Sequence, residues 1–104
     1  MKALNQNIDI SRLKIGPLTR TQRTDEERKR GTNAISRRLA AKNIKPTPAE
    51  WSLMQMRATA NTLKILKKEG RHYSEEPDWH EIEEDEMQKL ICAYIRAYEA
   101  NQAV

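Results

Sequence analysis

The sequence predicts an all-α protein, in which a flexible basic N-terminal arm, residues 1–23, precedes a three-helix bundle with helices at about 25–42, 48–69 and 79–100. Valine occurs once, and isoleucine and threonine do not alternate with polar residues over a sustained run, which argues against a sheet. The 104 residues include only three glycines and four prolines. A capping residue followed three positions later by glutamate occurs three times, each time at the start of a helical pattern.

The arm shows no sustained period. Gly16 and Pro17 form a turn signal. Its apolar side chains are too irregularly spaced to force a helix. The arm is therefore expected either to be flexible or to be draped over the rest of the chain. The remaining residues, 24–104, suit one small helical domain.

The first helix is predicted to begin after Thr24, which forms a capping box with Glu27. Asn43 is a plausible left-handed stop, and the "KPTP" that follows prevents continuation. The apolar stripe is thin, and Gly31 weakens the helix by about 1 kcal/mol relative to alanine. This helix is expected to need support from its neighbours.

The second helix carries the strongest start signal, a Thr47–Glu50 capping box with Pro48 at the first helical position. Apolar residues cover two of its faces, one around Met54 and the other around Leu63. A helix that is apolar on most sides is buried on most sides, so this helix is predicted to be the central one. Its surplus of apolar surface suggests a homodimer or a protein partner.

The third helix is predicted to begin at an Asp78–Glu81 capping box. Its apolar residues recur at i, i+3, i+4, i+7, i+8 and i+11 from Met87 to Tyr98, which is a clear amphipathic stripe. Acidic residues in its first two turns suit the positive end of the helix dipole. The predicted core comprises Ile35, Leu39, Trp51, Met54, Ala58, Leu63, Ile65, Leu66, Leu90, Ile91, Tyr94 and Tyr98.

Little in the sequence indicates catalysis. His72, His80 and Cys92 lack the spacing of metal ligands. The three glycines are isolated, so no glycine-rich loop could hold a phosphate. We expect a protein that is not an enzyme and has no metal, cofactor or small-molecule substrate. The single cysteine and the absence of a long apolar run predict a cytoplasmic protein with no membrane partner.

Charge is distributed unevenly along the chain. Residues 1–70 carry a net charge of +10 and residues 71–104 a net charge of −6, which together give +4. In and just before the first helix, arginines recur every seven residues, and a stripe of basic residues runs along one side of the second helix. The planar, permanently charged guanidinium group of arginine is well suited to binding phosphate. The predicted nucleic-acid-binding residues are Arg23, Arg30, Arg37, Arg38, Lys42, Arg57, Lys64 and Lys68.

These charges support a first hypothesis, a small nucleic-acid-binding regulator whose partner is DNA or RNA. A solvated basic surface explains part of the same pattern, because Asp25–Lys29 and Glu26–Arg30 are stabilising i,i+4 pairs. The second hypothesis is a protein-binding module or inhibitor that docks on an enzyme or a larger assembly. In that case either the acidic segment 75–86, through Glu83, Glu84, Asp85 and Glu86, or the basic arm meets an oppositely charged patch on the partner.

Overall fold

The computed structural model describes residues 8–102 and contains three long helices. These are α1 (Asp25–Ala41), α2 (Pro48–Lys68) and α3 (Trp79–Gln102). Single 3₁₀ turns occur at Ile10–Arg12 and Tyr73–Glu75, and the described residues include no strand. The all-α class and the three helices are confirmed, with each helix end within two residues of its predicted position. Residues 1–7 of the predicted arm lie outside the described part of the chain.

Two of the three predicted capping boxes form. The Thr24 hydroxyl accepts from the Glu27 amide at 3.1 Å, while the Glu27 carboxylate accepts from the Thr24 amide at 2.7 Å. Thr47 and Glu50 exchange the same two hydrogen bonds, at 3.1 and 2.8 Å. Each box satisfies two amides that a helix start would otherwise leave without a partner.

The third predicted box, at the start of α3, is wrong. The Asp78 amide donates to the Glu76 carboxylate at 3.4 Å, and Glu81 turns instead toward Arg28, at 3.4 Å. The Asp78 backbone carbonyl still accepts from the Glu81 amide at 2.9 Å, so the helix starts where expected. Arg28, more than 50 residues earlier in the chain, therefore pairs with the Glu81 side chain that the predicted capping box would have used.

The Thr47 cap provides a first testable prediction. Thr47→Ala removes an acceptor from the α2 start and is expected to lower the free energy of unfolding by about 1 kcal/mol in urea denaturation. Thr24→Ala is expected to lower it by less, because α1 is held by fewer apolar residues. Ser52→Ala, at an exposed position of α2, serves as the control for loss of a hydroxyl. Equal losses from the two threonine variants would contradict this ranking.

The helix at the centre of the bundle is α3, and the prediction that α2 is central is wrong. Both α1 and α2 pack mainly against α3. The second apolar face of α2 points to solvent, and Leu63, predicted as a core residue, is exposed. The sequence pattern correctly showed that α2 has two apolar faces, but only one of them is covered by the described chain.

The main core is built between α2 and α3. Met54 and Ala58 pack with Leu90, Tyr94 and Ile95, all of them buried. A single buried aliphatic residue of α1, Ile35, joins this cluster. A smaller cluster nearer the other end of α2 consists of Ile65, Leu66 and Ile82. The remaining predicted core residues Leu39, Trp51 and Tyr98 are half-buried against the main cluster, and Ile91 is buried within it.

Residues 8–23 of the arm are draped over the bundle. Ile10 and Leu13 are buried in the main core, and Leu18 packs on the smaller cluster. Two basic side chains of α2 hold the arm by its backbone. Arg57 donates to the Ile10 carbonyl at 2.8 Å and Lys68 to the Leu18 carbonyl at 3.4 Å. The irregular spacing of the arm's apolar residues thus reflects packing of an extended segment.

Candidate nucleic-acid interface

Two predicted site residues, Arg23 and Asp85, belong to a buried ionic cluster between the arm, α1 and α3. Asp85 is 2% exposed. It accepts from Arg23, whose Nε lies 3.1 Å from Oδ1, and it also faces the Nε of Arg28 at 3.3 Å. Arg23 further donates to Gln88 at 2.8 Å. Because Arg23 donates to both Asp85 and Gln88, its guanidinium is committed to contacts within the protein.

Gln88 extends this cluster into a close contact between α1 and α3. Its side-chain amide donates to the Arg28 carbonyl at 3.0 Å and to the Thr32 hydroxyl at 2.8 Å. A Cβ at Gly31 would lie 2.5 Å from the Gln88 Oε1. The absence of a side chain at Gly31 therefore lets Gln88 lie directly against α1, where it makes these hydrogen bonds.

Most of the acidic segment predicted to meet a protein partner also faces inward. Glu86 is fully buried, with Lys89 at 2.7 Å and the Asn61 amide at 3.3 Å. Glu83 is half-buried and accepts from the Thr59 hydroxyl at 2.6 Å. Of the four predicted carboxylates, Glu84 alone is exposed. The segment thus joins helices to one another inside the domain.

A second ionic cluster ties the arm to the connection between α2 and α3. Glu76 accepts from Arg20 at 2.8 Å and from Arg71 at 2.7 Å. These two guanidinium groups lower the pKa of Glu76 to about 2. Arg20 also pairs with Glu69 at 2.9 Å. Sequence reasoning missed this cluster, because its members lie up to 56 residues apart, although the opposite charges of the arm and the acidic segment hinted at it.

Three more of the predicted basic residues are engaged within the chain. Lys42 pairs with Glu99 at 2.5 Å and lowers the pKa of that carboxyl. Arg57 and Lys68 hold the arm through the backbone bonds described above. Together with Arg23, these residues make up half of the predicted phosphate-binding set. In the structure these four side chains hold parts of the chain together.

The other half of that set is exposed. Arg30, Arg37 and Arg38 lie on α1 and Lys64 on α2, and within residues 8–102 none of them has a carboxylate partner within 4.0 Å. At 3.6 residues per turn, Arg30 and Arg37 are about 20° apart around α1, on the side away from buried Ile35. One carboxylate lies near this surface: the hydrogen bonds with Thr24 lower the pKa of Glu27, and the charge of Arg30 lowers it further by a smaller amount.

Small side chains lie next to the two arginines on the outer face of α1. Ala34 and Ala41 are exposed and lie at angles close to those of Arg30 and Arg37. Small side chains at these positions leave the helix backbone accessible to a large ligand. Since α1 and α2 each pack mainly on α3, Lys64 is not brought into contact with the α1 arginines.

The chain matches no family model, no curated protein and no solved structure. The functional assignment therefore depends on the site alone. Within the described ranges, no group of three or more histidine, cysteine, aspartate or glutamate side chains could hold a metal ion. In the same part of the chain, no helix has the length and apolar character needed to cross a membrane.

Proposed function

We propose that the protein is a small, non-enzymatic nucleic-acid-binding regulator that contacts phosphates through the outer face of α1. The observation that supports this proposal is a run of exposed positive charge with no acid in it. From Gly31 to Lys45 the chain contains no carboxylate, and Arg37, Arg38 and Lys45 are exposed without a partner among residues 8–102. Exposed arginines on a rigid helix bind phosphate oxygens through paired N–H groups.

The geometry of α1 suits a phosphate backbone better than base edges. The Cα atoms of Arg30 and Arg37 are separated by seven residues, or about 10.5 Å along the helix. No aromatic side chain lies among these basic residues, so stacking on single-stranded bases is not expected. Contacts of this kind position a protein on a duplex without reading its sequence.

A salt titration tests the proposal. The double variant Arg37→Ala, Arg38→Ala is expected to bind duplex nucleic acid more weakly at low salt. The slope of log affinity against log salt should become shallower by nearly 2 on duplex DNA, since each phosphate contact contributes about 0.9. Both positions are exposed and alanine is the best helix former, so the variant should stay folded. Gel-shift series on duplex DNA and duplex RNA provide the measurement.

The matched control is Arg12→Ala, Lys14→Ala, which removes two exposed charges from the arm. Its slope should stay close to that of the unaltered protein. If both double variants lower affinity equally, binding follows net charge, and α1 is not the interface. If the α1 variant binds as well as the unaltered protein, the proposal loses the residues that support it.

The alternative function is a protein-binding module that docks on an enzyme or larger assembly. Among the four acidic residues predicted for that role, Glu84 remains accessible. Failure of the unaltered protein to bind either duplex at low salt would favour this alternative. The exposed apolar face of α2 would then become the leading docking surface.

A further inference from the structure

A row of apolar side chains runs along the outer face of α2. Leu53, Met56 and Leu63 are 50%, 66% and 46% exposed. Ala49 and Ala60 lie in the same row and are also exposed. We call these five residues the α2 seam. Of the four large hydrophobic side chains exposed in residues 8–102, three belong to it, so exposed apolar surface is concentrated on one helix face.

The spacing of the seam is that of a coiled coil. Its members follow one another at intervals of four, three, four and three residues from Ala49 to Leu63. This is the alternation of a and d positions that lets one helix pack lengthwise against another. Buried Met54, Ala58 and Ile65 lie on the opposite side of α2. None of the described elements therefore packs over the seam.

We propose that two copies of the chain pair through this seam, with their α2 helices antiparallel and a twofold axis that crosses the seam at the level of residue 58. A twofold axis requires residue i to contact residue j while j contacts i. Four of its five residues are symmetric about this level, and the fifth, Ala49, has Lys67 as its counterpart. Leu53 meets Leu63 of the second copy, and Met56 meets Ala60. The large side chain of Met56 thus faces the smallest side chain of the row, which suits close packing.

Charges beside the seam favour the antiparallel arrangement. Glu50 and Lys64 flank it on the same side, and antiparallel pairing places Glu50 of one copy opposite Lys64 of the other, twice per dimer. One oxygen of Glu50 accepts from Thr47 and Tyr94, which leaves its second oxygen for this contact. Arg57, on the same flank, would lie opposite Arg57 of the second copy, but its guanidinium is turned toward the Ile10 carbonyl, to which it donates at 2.8 Å.

A parallel pair would be less favourable. Lys67 continues the four-residue spacing beyond Leu63, so parallel helices would bring two Lys67 side chains together. In the antiparallel pair Lys67 lies beside Ala49 of the second copy. The negative end of each helix dipole then also lies beside the positive end of the other.

The size of the seam indicates a weak dimer. With the Ala49–Lys67 contact at each end, the paired stretch of α2 extends for 18 residues, about 27 Å. One helix face of this length covers well under the roughly 800 Å² per partner of a standard stable interface. We therefore expect dissociation in the micromolar range. Such a dimer would carry two α1 faces and would form as the protein concentration rises.

Sedimentation velocity over a range of protein concentrations tests the pairing. The unaltered protein should shift from monomer to dimer, and Met56→Glu should remain monomeric throughout. Gln55→Glu adds the same charge to the same helix away from the seam, at an exposed position, and should dimerise as the unaltered protein does. Circular dichroism confirms that both variants are folded. An unaltered protein that stays monomeric at high micromolar concentration would overturn the proposal and leave the seam to another protein.

Disulfide trapping tests the direction of the helices. In a Cys92→Ala background, Leu53→Cys protein and Leu63→Cys protein are prepared separately and then mixed under mild oxidation. Antiparallel pairing predicts a cross-linked product in the mixture and little in either protein alone. Cross-linking of each protein with itself, with none specific to the mixture, would contradict the antiparallel arrangement. Neither experiment depends on nucleic-acid binding, so the two proposals can fail separately.

Discussion

Asp85→Ala is expected to lower the free energy of unfolding by about 3–5 kcal/mol. Asp85 is buried and faces Arg23 and Arg28. Arg28 is also buried, and Asp85 is the one buried carboxylate next to its guanidinium. The Asp85→Ala variant would leave that buried charge without this partner. A loss of this size is a large fraction of the stability of a small domain. Three segments meet at this carboxylate, so its removal also loosens α1 from α3.

Urea denaturation of the purified protein measures this effect, and Glu84→Ala provides the matched control. Glu84 is the preceding residue of the same helix and is exposed, so its loss should change stability by less than about 0.5 kcal/mol. Asp85→Asn keeps the shape and one acceptor and should fall between the two. Comparable losses for Asp85→Ala and Glu84→Ala would show that the ionic cluster contributes little.

Leu90→Ala should be among the most damaging single changes in the apolar core. Leu90 is fully buried on the central helix, and its truncation leaves a cavity that costs about 2–5 kcal/mol. Leu63→Ala removes the same atoms from an exposed position and should cost less than about 0.5 kcal/mol in dilute, monomeric protein. Denaturation of both variants under identical conditions gives the comparison. Similar losses would mean that Leu63 is covered in solution.

The helices were predictable because their signals are local. The Thr24–Glu27 and Thr47–Glu50 boxes each depend on residues three positions apart, and both form as expected. Position within the bundle is not a local property. Leu63 and Leu90 both fit an apolar helix pattern, yet one is exposed and the other is buried, because the pattern does not reveal which face meets another part of the same chain.

The candidate site was predictable only in part, for the same reason. Arg30 and Arg37 share an exposed helix face, as their sevenfold spacing indicated. Arg23 belongs to the same series but lies just before α1, where it reaches Asp85, 62 residues away. The distribution of charge along the sequence showed that the first part of the chain is basic and the last part is acidic. The pairing of individual arginines with individual carboxylates depended on the packing of the arm.

The close approach at Gly31 constrains how this sequence can vary. Alanine there would displace the end of a Gln88 side chain that makes three hydrogen bonds, so the residue tolerated at position 31 depends on the residue at position 88. In a relative that keeps this packing, a larger residue at position 31 should be accompanied by a shorter one at position 88. Gly31, which by propensity alone only weakens a helix, is thus the position that gives the Gln88 side chain its place against α1.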